Sequence, residues 1–290
     1  MKNSLVDLHI HSENSLDGQL SIEEIAQKAK EANLQLIAIT DHNYINDYSN
    51  IKDINYIKGV ELDVSYLGIP FHLLYYYETI NDKIVNLIDR YNQQFIMVNR
   101  LAIDKFITYF QLDFTYDDLA FLQKNDVIVY EELGEYLFNS EKYQNYEFVL
   151  KLSDLPNRAV AFYWEYFSFG KIAYVKEELM DFDEVLSLIK DSNGLAIIAH
   201  PLQNFRNNLD LLEQLCLKVD GLELYSSYHR LEDFSYLLQL VDRFHLMITC
   251  GSDFHGKNKP NIHLGEFICE FNDDKIMGNI TQSLKNKVDN

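Results

Sequence analysis

Asp7-Leu8-His9-Ile10-His11-Ser12, near the start of the chain, joins a short apolar run to two imidazoles one residue apart. Side chains alternate along an extended strand with a period of two, so His9 and His11 leave the same side and can bind one metal ion together. Leu5 to Ile10 therefore reads as a strand, and the next segments continue an alternation of strand and helix. Ser21 to Ala32 is predicted as an amphipathic helix: Ser21 and Glu24 have capping-box spacing, and Ile22, Ile25, Ala26 and Ala29 form one apolar face. Leu36 to Thr40 is a second strand. Ile57 to Tyr66 and Pro70 to Tyr77 are two more, turning at Leu67-Gly68-Ile69.

From about Asn81 the pattern changes to long helical stretches rich in Asp, Asn, Tyr and Phe, with no histidine between His72 and His200. This marks an insertion. The alternation then resumes: Phe182 to Asp191 (helix), Leu195 to Ala199 (strand), Leu209 to Val219 (helix), Gly221 to Tyr225 (strand), Leu231 to Val241 (helix) and Leu246 to Thr249 (strand). Strands alternating with helices imply an α/β fold with a mainly parallel sheet or barrel, whose site lies where the strands' C-terminal ends meet the following loops. The expected division is a metal-binding barrel over residues 1–79 and 172–290 and a mostly helical insertion over 80–171.

Acidic and imidazole groups fall at those strand ends. His9 and His11 end the first strand, Asp17 follows it, Asp41-His42 follows the second, Glu61 and His72 lie in the third and fourth, His200 ends the strand after the insertion, and Asp253 and His255 follow the last. Asp253-x-His255 repeats the His9-x-His11 spacing. Imidazole with carboxylate suits borderline metals such as zinc, iron or manganese rather than calcium. Four to six ligands saturate one transition ion, so nine candidates with Glu61 as a bridge imply two or three ions.

Each group has a bland alternative. A lone H-x-H in a strand is commonly structural, Asp41 can cap a helix, Glu61 can face solvent, and His72 or His200 alone can be a satisfied core histidine. Their joint occurrence at successive strand ends decides for a metal site. His245, between a helix and a strand with no partner in sequence, reads as structural. His229, Arg206 and Lys257 are the candidate substrate contacts, with Arg100 and Arg158 as further possible phosphate clamps. The acid pairs Glu131-Glu132, Glu177-Glu178 and Asp273-Asp274 read as solvated helix faces or turns.

A formal charge of −20 and a pI near 4.7 oppose binding to long nucleic acid, whose phosphates are met by basic surfaces. A small anion can still be drawn in by metal ions. Cys216, Cys250 and Cys269 are widely spaced, without a C-x-x-C pair, and read as buried thiols. The start lacks a signal-peptide pattern and no apolar run reaches the roughly 18 residues of a membrane span, so a cytoplasmic protein with no membrane partner is expected.

Asp7-Leu-His-Ile-His-Ser12, Ile39-Thr-Asp-His42, Gly59-Val-Glu61, Phe71-His72, Ile198-Ala-His-Pro201, Gly221-Leu-Glu-Leu-Tyr225 and Gly251-Ser-Asp-Phe-His-Gly256, in this order, resemble the PHP family. This is the metal-dependent phosphoesterase domain of bacterial DNA polymerases and histidinol phosphatase. The resemblance implies a distorted (β/α)7 barrel holding three metals, commonly manganese, iron or zinc. It gives one ion His9, His11, Glu61 and Asp253, a second Glu61, His72 and His200, and a third Asp17, His42 and His255. Ser15-Leu16-Asp17-Gly18 departs from the family by one residue more between Ser and Asp. The layout, with Gly170-Lys-Ile-Ala-Tyr-Val175 before the resumed barrel, resembles stand-alone bacterial phosphoesterases that act on nucleotide bisphosphates or on the 5′ end of short oligonucleotides. Residues 127–137 lack the Arg-x-His stretch many of them carry. The expected reaction is hydrolysis of a small phosphate ester by a metal-activated water, with Asp253, His255 and Glu61 as catalytic groups. A histidinol-phosphatase-like enzyme, a metal-dependent amidohydrolase and a non-catalytic metal-binding regulator are the competing readings.

Overall fold

The computed structural model describes residues 4–269 and 273–288. In chain order the elements are β1 (Val6–Ile10), α1 (Ile22–Glu31), β2 (Leu36–Ile39), β3 (Asn55–Tyr66), β4 (Ile69–Tyr77), α2 (Asp82–Phe110), β5 (Gln123–Lys124), β6 (Val127–Ile128), α3 (Tyr130–Asn139), α4 (Glu147–Leu152), α5 (Arg158–Tyr166), β7 (Met180–Asp181), α6 (Phe182–Asp191), β8 (Leu195–Ile198), α7 (Pro201–Phe205), α8 (Leu209–Cys216), β9 (Gly221–Ser226), α9 (Leu231–Phe244), β10 (Met247–Gly251) and α10 (Asp273–Val288). They fall into two compact units, Met1–Ile88 with Leu179–Asn290, and Asp89–Glu178. The first division lies inside α2 rather than at residue 79, because the helix runs on without a break in its pattern.

The first unit is built on a sheet ordered β1-β2-β3-β4-β8-β9-β10, with β7 beside β3. β4 runs antiparallel to both its neighbours, β3 and β8, and the other pairs are parallel. The sheet curls until its ends meet: His11 N–H donates to Phe254 O at 2.9 Å and Asp253 N–H to His9 O at 2.8 Å. This nearly closed barrel of seven strands brings the His9-x-His11 and Asp253-x-His255 segments side by side. Its interior is filled by buried rings, among them Tyr76, whose hydroxyl reaches across from β4 to Leu8 O at 2.7 Å.

α1 starts where its sequence says it should. Ser21 Oγ accepts from Glu24 N and the Glu24 carboxylate accepts from Ser21 N, which satisfies two end amides reciprocally. Ile22, Ile25, Ala26 and Ala29 are buried in one cluster with Ile37 and Ile39 of β2. Four such burials supply roughly 0.8 kcal/mol per methylene removed from water, which is what fastens the helix to the barrel wall. α7 and α10 are elements the apolar periodicity did not mark. Asp273, expected as a solvated acid, is buried and accepts Ser4 O–H at 2.7 Å.

The second unit packs around its own aromatic core, with Phe106 of α2 ringed by Phe148, Phe162 and Phe167 at centroid distances of 5.3, 5.1 and 5.4 Å. β5 and β6 form a two-residue hairpin through Asn125 and Asp126, both in the left-handed region (φ 52° and 62°). Buried Asn99 completes it, accepting from Ile128 N and donating to Ile128 O. Among the described residues no helix is long and apolar enough to cross a membrane.

Candidate metal centre

Every one of the nine expected ligands lies in a group of donor atoms within 4.8 Å of one another. Glu61 of β3 is their hub and is wholly buried. Its Oε2 lies 3.0, 3.1 and 3.4 Å from the Nε2 atoms of His9, His11 and His42. Its Oε1 lies 3.0 Å from His72 Nδ1 and 3.3 Å from His200 Nε2. Asp253 Oδ1 is 3.4 Å from His9 Nε2 and 3.1 Å from His11 Nε2. Asp17 Oδ2 is 2.8 Å from His255 Nε2 and 3.8 Å from His42 Nε2. Side-chain exposure rises from nearly zero at His9, His11 and Glu61 to 22% at His42, 35% at His72 and 44% at Asp17. The site therefore opens on that rim.

Two of the candidate ligands sit on left-handed backbone. His200 and Asp253 both have positive φ (26° and 57°), a region that costs a residue with a side chain of order 1 kcal/mol or more. The turn to left-handed backbone swings each side chain off its strand's end towards Glu61. The extra residue in Ser15-Leu16-Asp17-Gly18 is absorbed by two successive turns, Ser15 N to Ser12 O and Gly18 N to Ser15 O. Gly18 is required there, because a Cβ would sit 1.9 Å from Ser12 O.

Residues outside the expected set hold the imidazoles in place. Glu223 of β9 takes His9 Nδ1 at 3.0 Å with one oxygen and His200 N–H at 2.8 Å with the other. His42 Nδ1 is 3.0 Å from Asp63, and His255 Nδ1 donates to Asp253 O at 2.8 Å. A ring nitrogen that donates to such an acceptor leaves the opposite nitrogen's lone pair free for a ligand. Asp41 accepts from Ser12 N, Ser12 O–H and Asn46, tying the loop after β1 to the loop after β2. Asp7 accepts from Ser252 N and Gly265 N, and burial pushes its carboxyl up to about 6. Tyr228 O–H donates to Asp253 Oδ2 at 2.5 Å, and the Lys259 ammonium donates to the same oxygen at 2.6 Å and to Tyr228 Oη at 2.7 Å. Glu223 lies in a motif already quoted, and Asp63 follows Glu61 at strand spacing. Tyr228 and Lys259 carry no sequence signal.

Of the three expected substrate contacts, none faces the cluster in the expected way. His229 is buried, with Nδ1 on Leu224 O at 2.8 Å and Nε2 taking Leu202 N–H at 3.4 Å. It braces the loop between backbone groups. Arg206 spends its guanidinium in a two-pronged bond to Asp233 at 2.7 and 2.9 Å. Lys257 is exposed on the turn after His255, and the cation beside the ligands is Lys259. Arg100 and Arg158 are paired with Asp117 and Glu135 inside the second unit. His245 is the left-handed residue that ends α9. Cys216 and Cys250 are buried and Cys269 is partly exposed.

The donor chemistry fits divalent cations. His9 Nε2, His11 Nε2, His72 Nδ1, His255 Nε2 and both Glu61 oxygens are buried without a hydrogen-bond partner, although they lie within 3.5 Å of one another or of a neighbouring ligand. Orphaned buried polar atoms each cost about 1–3 kcal/mol, so six of them aimed at shared points mark positions for a cation. Six imidazoles stand in a chain of ring contacts, as close as 4.0 Å for His11 and His255, a spacing at which they cannot all be charged. In the metal-free cluster, burial opposes charge on His9, but Glu61, Glu223 and Asp253 prevail and raise its pKa well above the ordinary 6.5. Glu61 is correspondingly held well below the usual carboxylate range, the burial cost outweighed by His9, His42 and His72. Burial, then the neighbouring His11, push His255 down. Protons thus do imperfectly what divalent ions do well.

The chain has relatives with known names. A 5′-3′ exoribonuclease of Haemophilus influenzae is 25% identical over 262 residues, covering 86% of this chain and 89% of the relative. A 3′,5′-nucleoside bisphosphate phosphatase of Chromobacterium violaceum is 26% identical over 285 residues, covering 90% of each. Two solved structures share the fold: an amidohydrolase of C. violaceum with bound sulfate and no metal (TM-score 0.72, 20% identity, 95% of this chain and 96% of that one), and a protein of Bifidobacterium adolescentis described as a metal-dependent phosphoesterase (TM-score 0.69, 24% identity, 96% of each). A family model described as the PHP domain matches residues 7–221. The chain therefore belongs to the PHP family and is a metal-dependent phosphoester hydrolase.

Proposed function

We propose that the enzyme removes phosphate from a small nucleotide, either a nucleoside bisphosphate or the 5′ end of a short oligonucleotide, at a centre of two to three manganese, iron or zinc ions. The observation that carries this reading is the convergence of His9, His11, Asp17, His42, Glu61, His72, His200, Asp253 and His255 into overlapping donor sets, two of which share Glu61. The two relatives reported above are named for RNA and for nucleoside bisphosphates, which supports the substrate class. The charge of −20 favours a few nucleotides over a long polyanion.

When bound, divalent ions lower the pKa of a water and offset the charge of the phosphoryl oxygens. The protein's own residues do the rest. Glu223 and Asp63 keep His9 and His42 aimed inwards. The barrel interior excludes water behind Glu61, so a phosphate enters from the rim of Asp17, His42 and His72. Lys259, one-third exposed and bonded to Asp253 Oδ2, supplies a cation for a phosphoryl oxygen beside Asp253. Tyr228 O–H and Lys259, side by side, are the proton donors placed beside the cluster for a departing alkoxide. Asp253, His255 and Glu61 are assigned to the reacting centre.

The test is a phosphate-release screen on nucleoside 3′,5′-bisphosphates, mononucleotides, 5′-phosphorylated oligonucleotides and histidinol phosphate, with Mn²⁺ or with chelator, on wild type and His9→Ala. Metal-dependent release from the nucleotides that disappears in the variant is expected. Release from histidinol phosphate alone would overturn the substrate assignment, and metal-independent release would overturn the site.

A further inference from the structure

Asp63 sits on β3 two residues beyond Glu61 and directly opposite His72 in the antiparallel β3–β4 ladder. A strand's period of two puts Glu61 and Asp63 on one face. Their carboxylates clasp the same two imidazoles from opposite edges. Glu61 lies 3.4 Å from His42 Nε2 and 3.0 Å from His72 Nδ1. Asp63 Oδ1 lies 3.0 Å from His42 Nδ1 and 3.5 Å from His72 Nε2. A neutral imidazole carries one N–H and one lone pair, so a carboxylate beside one nitrogen draws the proton there and frees the other. The freed atoms, His42 Nε2 and His72 Nδ1, are the ones turned towards Glu61.

Asp63 is itself held by a second pair of bonds. Its Oδ2 accepts Asn43 Nδ2–H at 2.7 Å, and its backbone N–H donates to Asn43 Oδ1 at 3.0 Å. Asn43 has left-handed backbone (φ 48°), which turns the chain after His42 so that its amide faces β3. Asp63 is therefore a fixed acceptor between two imidazoles that stand with it in one group of donor atoms and also belong to two others, His11–Asp17–His42–His255 and Glu61–His72–His200.

We propose that Asp63 is the positioning residue that sets the tautomer and aim of His42 and His72 together, so that one carboxylate governs metal occupancy at both imidazoles, while the His9–His11–Glu61–Asp253 set, neither of whose imidazoles it touches, is affected least. This rests on the metal-centre reading of the site. Partners that orient a metal-binding histidine are worth about 10–100-fold in metal affinity.

The experiment is Mn²⁺ titration of the metal-stripped protein, following free Mn²⁺ by its paramagnetic resonance signal, with elemental analysis of the desalted protein, on wild type, Asp63→Ala and Asp63→Asn. Circular dichroism reports whether each variant is folded. In Asp63→Ala the weaker class of ions is expected to lose affinity about 10–100-fold while the tightest class is retained, with Asp63→Asn between it and wild type. A wild-type isotherm in folded Asp63→Ala, or equal loss of all ions, overturns the proposal. If Asp63→Ala does not fold, the same isotherms on the equal-sized Asp63→Asn decide it. A wild-type protein that binds no Mn²⁺ would instead sink the metal reading itself.

Discussion

Replacing Gly251 with alanine tests whether the site depends on the close approach of β10 to β1. A Cβ at residue 251 would lie 2.2 Å from His9 Cβ, 2.6 Å from Glu223 Oε1 and 2.8 Å from His9 N. Carbon atoms settle at about 3.5–4.0 Å, so the methyl forces the strands apart by more than about 1 Å. None of the three obstructing atoms is the tip of a flexible side chain with somewhere to go: Glu223 Oε1 is the atom that holds His9 Nδ1. Overpacking of this kind costs about 1–3 kcal/mol, and each kcal/mol lowers Tm by about 2–4 °C in a domain of 150–250 residues. The functional loss should be larger, since misplacement by about 1 Å near reacting atoms costs about 10²-fold in rate. Gly278, in α10 and with nothing within 4 Å of its added Cβ, supplies the opposite expectation: Gly278→Ala should stabilise by about 0.5–1 kcal/mol and leave turnover unchanged. Thermal melts and kcat/KM on both variants decide the matter. A Gly251→Ala protein with unchanged Tm and turnover would refute the packing argument.

Glu61→Gln removes the hub's charge and should lower the metal bound per chain well below the wild-type content by elemental analysis; wild-type occupancy in the variant would show that Glu61 is no bridge. Lys259→Ala forfeits a charge-assisted bond worth about 1.5–3 kcal/mol, so kcat/KM should fall about 10- to 100-fold with metal content intact, whereas an unchanged kcat/KM would remove Lys259 from the substrate site. His229→Ala should cost about 1–3 kcal/mol of stability by stranding Leu202 N–H, with KM unaltered; a raised KM would restore it as a substrate contact. In the metal-free protein His9 and His42 carry pKa values raised above 6.5, so their stabilisation is complete below about pH 6.5 and is lost as pH rises through the raised values. Metal binding needs these rings unprotonated and strengthens with pH, so the Tm of chelated protein should fall above about pH 6.5 while that of Mn²⁺-saturated protein holds or rises. Parallel slopes would mean that metal and protons do not compete at this cluster.

Much of the fold was legible because it obeys local rules. The capping box at Ser21 and Glu24, the alternation of β3 and β4 about Leu67-Gly68, and the apolar runs of β8 and β9 each declare themselves within a few residues. Most of the candidate donors were legible for the same reason, since they stand at or just past strand ends that their own sequence marks, while Glu61 and His72 lie inside β3 and β4. α7 went unread because His200 turns the chain through left-handed backbone straight into Pro201, and five residues are too few to show a helical period. α10 went unread because acidic Asp273 and Asp274 at its start resemble a solvated turn, whereas Ser4, 269 residues earlier in sequence, is what makes Asp273 a buried acceptor.

The supporting residues were hidden by the same kind of distance. Glu223 and Asp63 gain their roles only from register: β9 lies beside β8 so that one carboxylate spans His9 and His200 N–H, and the β3–β4 ladder sets Asp63 against His72. Lys259 reaches Asp253 across a turn of six residues whose path depends on Lys259 N–H bonding to Gly256 O and Asn258 bonding to Asp17 O. Lys257, nearer in sequence to His255, points to solvent for that reason. His229 misled in the opposite sense, because a histidine just past a strand end has the position of a ligand, and only the three-dimensional path shows both its nitrogens spent on backbone. A ligand's identity is therefore written in its own strand, while the aim of its lone pair is written in whichever strand the barrel sets beside it.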